Sequence, residues 1–147
     1  MKRIVFSILI ISQCLLTLSA HHPQKFSPEQ FQADLEQFMA KEAALTEQES
    51  AKFFPLYREM LQKQRAVWNQ MKELGKNKPS DENACKQAVQ KRDELELEQK
   101  RILQTYHNKF FRVLPASKVY DVIKAENRFH RRAIRKWSHQ GKEKPKK

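Results

Sequence analysis

Few residues in this chain combine the types and spacing that chemistry needs, and those that do are scattered. His21 and His22 follow Ala20 directly. A cut between Ala20 and His21 would put two imidazoles beside a free α-amine, a chelate suited to Cu(II) or Ni(II). Glu126 and His130 stand four residues apart, a spacing that can grip a metal on a helix but also serves an ordinary surface ion pair. His107 and His139 have no evident partner. Ligand identity without geometry does not make a metal site, and none is expected. Nor is there a nucleophile with a base at a recognisable spacing, and the acids are spread as helix charge pairs. The only glycines are Gly75 and Gly141, so a glycine-rich phosphate loop is excluded. The residues predict no enzyme and no cofactor.

A second kind of chemistry is weak, reversible binding of apolar and charged surfaces. Phe54, Leu61 and Trp68 recur every seven residues, with Arg58, Arg65 and Lys72 beside them. Farther on, Arg128, Arg131, Arg132 and Arg135 cluster. Exposed aromatic groups among cations offer apolar contact together with long-range attraction. Apolar stripes on helices are usually core, and charged faces are usually just solvated.

The beginning of the chain sets the compartment. Lys2 and Arg3, an apolar stretch from Ile4 to Leu18, and Ser19-Ala20 have the three parts of a cleavable export signal, with cleavage after Ala20. The stretch is shorter than the roughly 20 residues a spanning helix needs and is interrupted by Ser7, Ser12 and Gln13. Gln13 stands where a lipid-attachment box before Cys14 requires a small residue. Removing residues 1–20 takes Lys2 and Arg3 and no acid from the formal +12, leaving +10. The remaining chain fits one modest domain. Its one cysteine, Cys85, allows no internal disulfide, so stability rests on helix packing and, for a long thin unit, on a partner subunit.

Four helices must position these groups. The first starts at Ser27-Pro28-Glu29-Gln30, a cap, a proline in the first turn and a glutamine to close the box, with Phe26 and Phe31 as a staple. Phe31, Leu35, Phe38, Met39 and Ala43 then mark one face. Thr46-Glu47-Gln48-Glu49 opens a second helix that reaches Leu74 and stops at Gly75. Its heptad seam is Phe53, Tyr57, Met60, Gln64, Val67, Met71 and Leu74, and Pro55 predicts a kink. Ser80 or Asp81 caps a third helix to about Arg112, highly charged from Lys91 to Arg101, with Leu95, Leu97 and Ile102 as apolar points. Its end, Tyr106, Phe110, Phe111, Val113 and Leu114, is expected against the start of the second helix. After Pro115 a fourth helix buries Val119, Ile123, Phe129, Ala133 and Trp137. Residues 21–137 form the helical domain, and residues 138–147 read as a disordered basic tail.

Leu45-Thr46-Glu47-Gln48-Glu49 resembles the Leu-Thr-x-x-Gln motif of the Spy/CpxP family of periplasmic helical proteins, with Glu49 in the glutamine position. A second copy would begin at Leu114, with Pro115 for threonine and Lys118 for glutamine. The runs Val113 to Tyr120 and Ala125 to Phe129 look like a divergent branch of such proteins found in Bacteroidetes. The resemblance implies an all-α, cradle-shaped homodimer of four-helix subunits around a long antiparallel hairpin. It implies shielding of unfolded envelope proteins in the periplasm without ATP. The alternative is an envelope-stress or metal-responsive regulator that contacts a membrane sensor. Phe54, Arg58, Leu61, Arg65, Trp68, Lys72, Arg128, Arg131, Arg132 and Arg135 are the candidate client contacts. Export and the lack of a base-reading module argue against nucleic acid. Anionic lipid or lipopolysaccharide is the acidic partner expected for Lys142 to Lys147.

Overall fold

A computed structural model describes residues 27–140, with side chains to Ser138. The export signal, His21, His22, the Phe26 half of the staple and residues 141–147 lie outside the described residues. The described chain is all-α: α1 (Pro28–Glu42), α2 (Glu47–Leu74), α3 (Glu82–Phe110) and α4 (Ala116–Gln140). α4 continues past Trp137 into the segment read as tail. No described helix is long and apolar enough to cross a membrane.

The helix starts follow local chemistry. Ser27 Oγ accepts from the Gln30 amide, but the Gln30 side chain turns to Asp34, so only half of the expected box forms. At α2 the box is complete: Glu49 N–H donates to Thr46 Oγ1, and Thr46 N–H donates to Glu49 Oε2. Asp81 rather than Ser80 caps α3, its carboxylate accepting from the Ala84 amide. Pro55 leaves the Ala51 carbonyl without its helical partner, yet α2 runs on through it. Both residues are exposed, so water can satisfy that carbonyl.

The link from α1 to α2 is a Schellman turn: Leu45 N–H donates to Ala40 O and Ala44 N–H to Lys41 O. Ala44 sits there at φ 47°, a left-handed conformation that a Cβ disfavours by roughly 1–2 kcal/mol. Ala44→Gly should therefore stabilise the fold by about 0.5–1 kcal/mol, after glycine's extra unfolded-state entropy is subtracted. A urea titration with no gain would show that this turn is not left-handed. Gly75, by contrast, ends α2 at φ −85°, so that stop does not exploit glycine's freedom.

α2 packs along α3 and α1 along α4. One core joins all four: Leu35 and Met39 from α1, Phe53, Phe54, Tyr57 and Met60 from α2, Tyr106 and Phe110 from α3, and Val119, Val122 and Ala125 from α4. Ala43 and Leu114 close it at the links. Phe53 meets Phe110 edge to face at 4.8 Å. Beyond this core α2 and α3 continue together, with Val67 and Leu95 buried and the Gln99 side-chain amide donating to the Gln64 carbonyl at 2.8 Å.

The structure corrects two apolar assignments, Phe111 and Trp137. Phe111 is exposed rather than packed, and Leu97, an apolar point of α3, is exposed as well. On a helix turning 100° per residue, Leu97 lies roughly 200° round from Leu95. The buried side of α4 is centred on Val119, Val122 and Ala125, with Ile123, Phe129 and Ala133 half-buried. Trp137 is 46% exposed and stacks on Phe31 at 5.8 Å.

Candidate functional site

The candidate residues divide between architecture and surface. Phe54 belongs to the core, 8% exposed and edge-on to Phe53 at 5.2 Å. It offers nothing to a client, and its place as a contact is corrected. Leu61 is half-buried against the same core. Arg58 reaches across to α1, where its Nε donates to Glu36 Oε1 at 2.8 Å and its terminal nitrogen to Oε2. Burial of Glu36 works to raise its pKa, but the Arg58 and Gln32 hydrogen bonds and the Arg58 charge outweigh it and hold the carboxyl below its ordinary value. Arg128 likewise ties α4 to the end of α1 through Glu42 at 2.6 Å.

The two motif-like segments meet in space. Lys118, at the start of α4, donates to Glu49 Oε2 at 2.6 Å and to the Ala44 carbonyl at 2.9 Å. Its hydrogen bond, ahead of the Thr46 amide, draws the Glu49 carboxyl below its ordinary value. Leu114 is buried and Leu45 half-buried beside it. Pro115 has no capping side chain, so the second copy opens its helix without the Thr46 type of cap. Its Lys118 instead braces the first copy.

Arg65, Trp68 and Lys72 do lie on the surface. Trp68 is 55% exposed, with the Lys72 ammonium 5.6 Å from the ring centroid. Trp68 and Lys72, together with Met71, Leu74, Ala88, Val89 and Arg92, border an open trough of about 420 Å3 where α2 meets α3. Gln64, Arg65, Asn69 and Gln99 border another open hollow of about 450 Å3 on the other side of Trp68. A second open apolar strip runs along α3, where Leu97, Leu103 and Phe111 lie among Lys100, Arg101 and His107. The sequence reading missed Val89, Leu97 and Phe111 as surface groups. Their legible signal was phase: none falls on the Leu95, Ile102, Tyr106 stripe that faces α2.

On α4, Arg131, Arg132 and Arg135 are exposed, and the Arg132 guanidinium lies 5.0 Å from the Phe38 ring. Glu126 and His130 are 3.9 Å apart, but Glu126 Oε1 also accepts from the Tyr57 hydroxyl at 2.7 Å. Its role is a tie between α4 and α2. Among the described residues no group of three or more His, Cys, Asp or Glu could hold a metal ion. Cys85 is half-buried, its thiol 3.5 Å from the Pro79 carbonyl. In comparisons with family models, curated proteins and solved structures, the chain matches none.

Proposed function

We propose that this protein is an ATP-independent, chaperone-like binding protein rather than an enzyme, exported to the periplasm by a signal peptide cleaved after Ala20, where it holds unfolded envelope proteins. In this reading it is a homodimer in which α2 and α3 form an antiparallel hairpin, the arm of a cradle. The observation that carries the reading is the trough at Trp68. An indole, a valine and methionine and leucine side chains are offered to solvent between the cations Lys72 and Arg92. A shallow apolar strip with a cationic border can touch many extended chains without fitting any one closely. Such contacts are weak enough to release a client once it buries its own apolar residues.

The test is light scattering of a chemically denatured client diluted into residues 21–147 without nucleotide, at low and high salt. Aggregation should be suppressed near stoichiometric ratios, and less so at high salt, because the cations are solvent-exposed and screened. Trp68→Ser with Val89→Ser, both surface positions, should keep the far-ultraviolet circular dichroism and weaken protection at least tenfold, since a large side chain fully buried is worth about 1.5–3 kcal/mol and each of these two has more than half of its surface left to bury. Undiminished protection by this pair would remove the trough from the mechanism. No suppression by the parent protein at several-fold excess would end the holdase reading.

A further inference from the structure

We propose that the outer face of α4 is a docking surface for anionic lipid head groups, which holds the protein at a membrane surface. α4 turns its inner side to α1, where Phe129 meets Phe31 at 5.2 Å and Phe38 at 5.6 Å. The helical period then brings Tyr120, Lys124, Asn127, Arg131, Ile134 and Arg135 into one outward row, about 22 Å long at the rise of an α-helix. Tyr120 and Ile134 are each 62% exposed, and the three cations are exposed as well.

No carboxylate shares this row. The two acids of α4 are Asp121 and Glu126. Glu126 is engaged with Tyr57 on the inner side, and Asp121 is half-buried on the flank, about 100° round from Tyr120. Lys124 lies 5.1 Å from the Tyr120 ring. Arg131 and Arg135 pair with no carboxylate among the described residues. The sequence continues this charge past the helix with Lys142, Lys144, Lys146 and Lys147 against Glu143.

The shape of the row selects the partner. It is a convex strip on one helix, which suits a broad planar anion array better than a folded peptide that needs a groove. A basic helix face carrying tyrosine and isoleucine among its cations combines head-group attraction with shallow apolar insertion, and tyrosine is at home at the depth of the head groups. With no described helix able to span a bilayer, the attachment is peripheral. It does not depend on the holdase reading, because the row is remote in sequence from the Trp68 trough and no client is involved.

The experiment is sedimentation of residues 21–147, which contain every described helix and the whole core, with vesicles of phosphatidylcholine alone or mixed with phosphatidylglycerol. Binding is expected only to the mixed vesicles and should fall with salt. Lys124→Gln with Arg131→Gln and Arg135→Gln should weaken it about a hundredfold, since each cation near an anionic surface contributes roughly fivefold. Circular dichroism should not change, because all three positions are exposed. A companion variant with Lys142, Lys144, Lys146 and Lys147 changed to glutamine separates the helix from the tail. The proposal is overturned if the tail variant loses all binding while the helix variant keeps it. It is equally overturned by equal binding to phosphatidylcholine alone, or if the protein binds polyglutamate but not the mixed vesicles, which would make the partner an acidic polypeptide.

Discussion

Phe53→Ala is expected to remove about 3–5 kcal/mol of folding stability, the usual range for emptying a buried aromatic site. Phe53 is fully buried, and its ring lies within 5.8 Å of three others, those of Phe54, Tyr57 and Phe110. Truncation therefore leaves a cavity whose lining comes from two helices and cannot collapse without parting them. For a domain of this size the whole folding free energy is about 5–15 kcal/mol, so the variant should be near its limit at room temperature. Phe111 supplies the control: it is 52% exposed, and Phe111→Ala should change stability by no more than about 0.5 kcal/mol. Paired urea titrations decide the matter. Equal losses for the two phenylalanines would mean that the end of α3 meets α2 through a different face.

Stability should also fall steeply above pH 10. Burial, then the neighbouring Glu126 charge and the hydrogen bond to it, hold the Tyr57 hydroxyl protonated far above its ordinary value of 10.0. Burial, reinforced by Glu59, pushes Tyr106 up to about 12. Both are acids that the folded state keeps neutral, so the unfolded chain releases their protons first. Their contribution is intact below pH 10 and is lost as pH rises beyond it, at about 1.4 kcal/mol per pH unit for each tyrosine. The Tyr106 share levels off above about pH 12. Lysine deprotonation also changes the charge balance there, so the useful quantity is the difference between the protein and Tyr57→Phe. The variant should lose about 1 kcal/mol at neutral pH through the missing hydrogen bond to Glu126. Between pH 10 and 11.5 it should decline with a slope shallower by one proton. Parallel lines for the two proteins would place the Tyr57 hydroxyl in water.

Both predictions depend on contacts between residues far apart in the chain. Helix starts were legible because they are written in three or four consecutive residues. Thr46 and Glu49 close their box with groups they carry themselves, and Asp81 does the same for α3 with one side chain. The α2 seam was legible too, since Phe53, Tyr57, Met60 and Val67 keep one phase and all four are buried. The all-α class follows from these signals, with two glycines in 147 residues leaving few turns for anything else.

What surrounds the candidate site was not legible, for a physical reason. A cation on a helix has the same helical phase whether it meets water, a client or a carboxylate on another helix. Arg58 and Arg65 are one heptad apart in sequence, yet Arg58 is locked to Glu36 22 residues away, while Arg65 lies in the open beside Trp68. Phe54 and Trp68 share a stripe, but the four-helix core ends between them, so one is packed and the other exposed. The same holds for Lys118, whose partners Ala44 and Glu49 lie across the fold. By itself the sequence determined which segments are helices, where they begin and the apolar seam of α2, because those depend on neighbours within a turn or two. Only the tertiary structure decided which of those apolar and charged faces are covered, because coverage depends on how α1 and α4 close over one end of α2 and α3 and leave the other end bare.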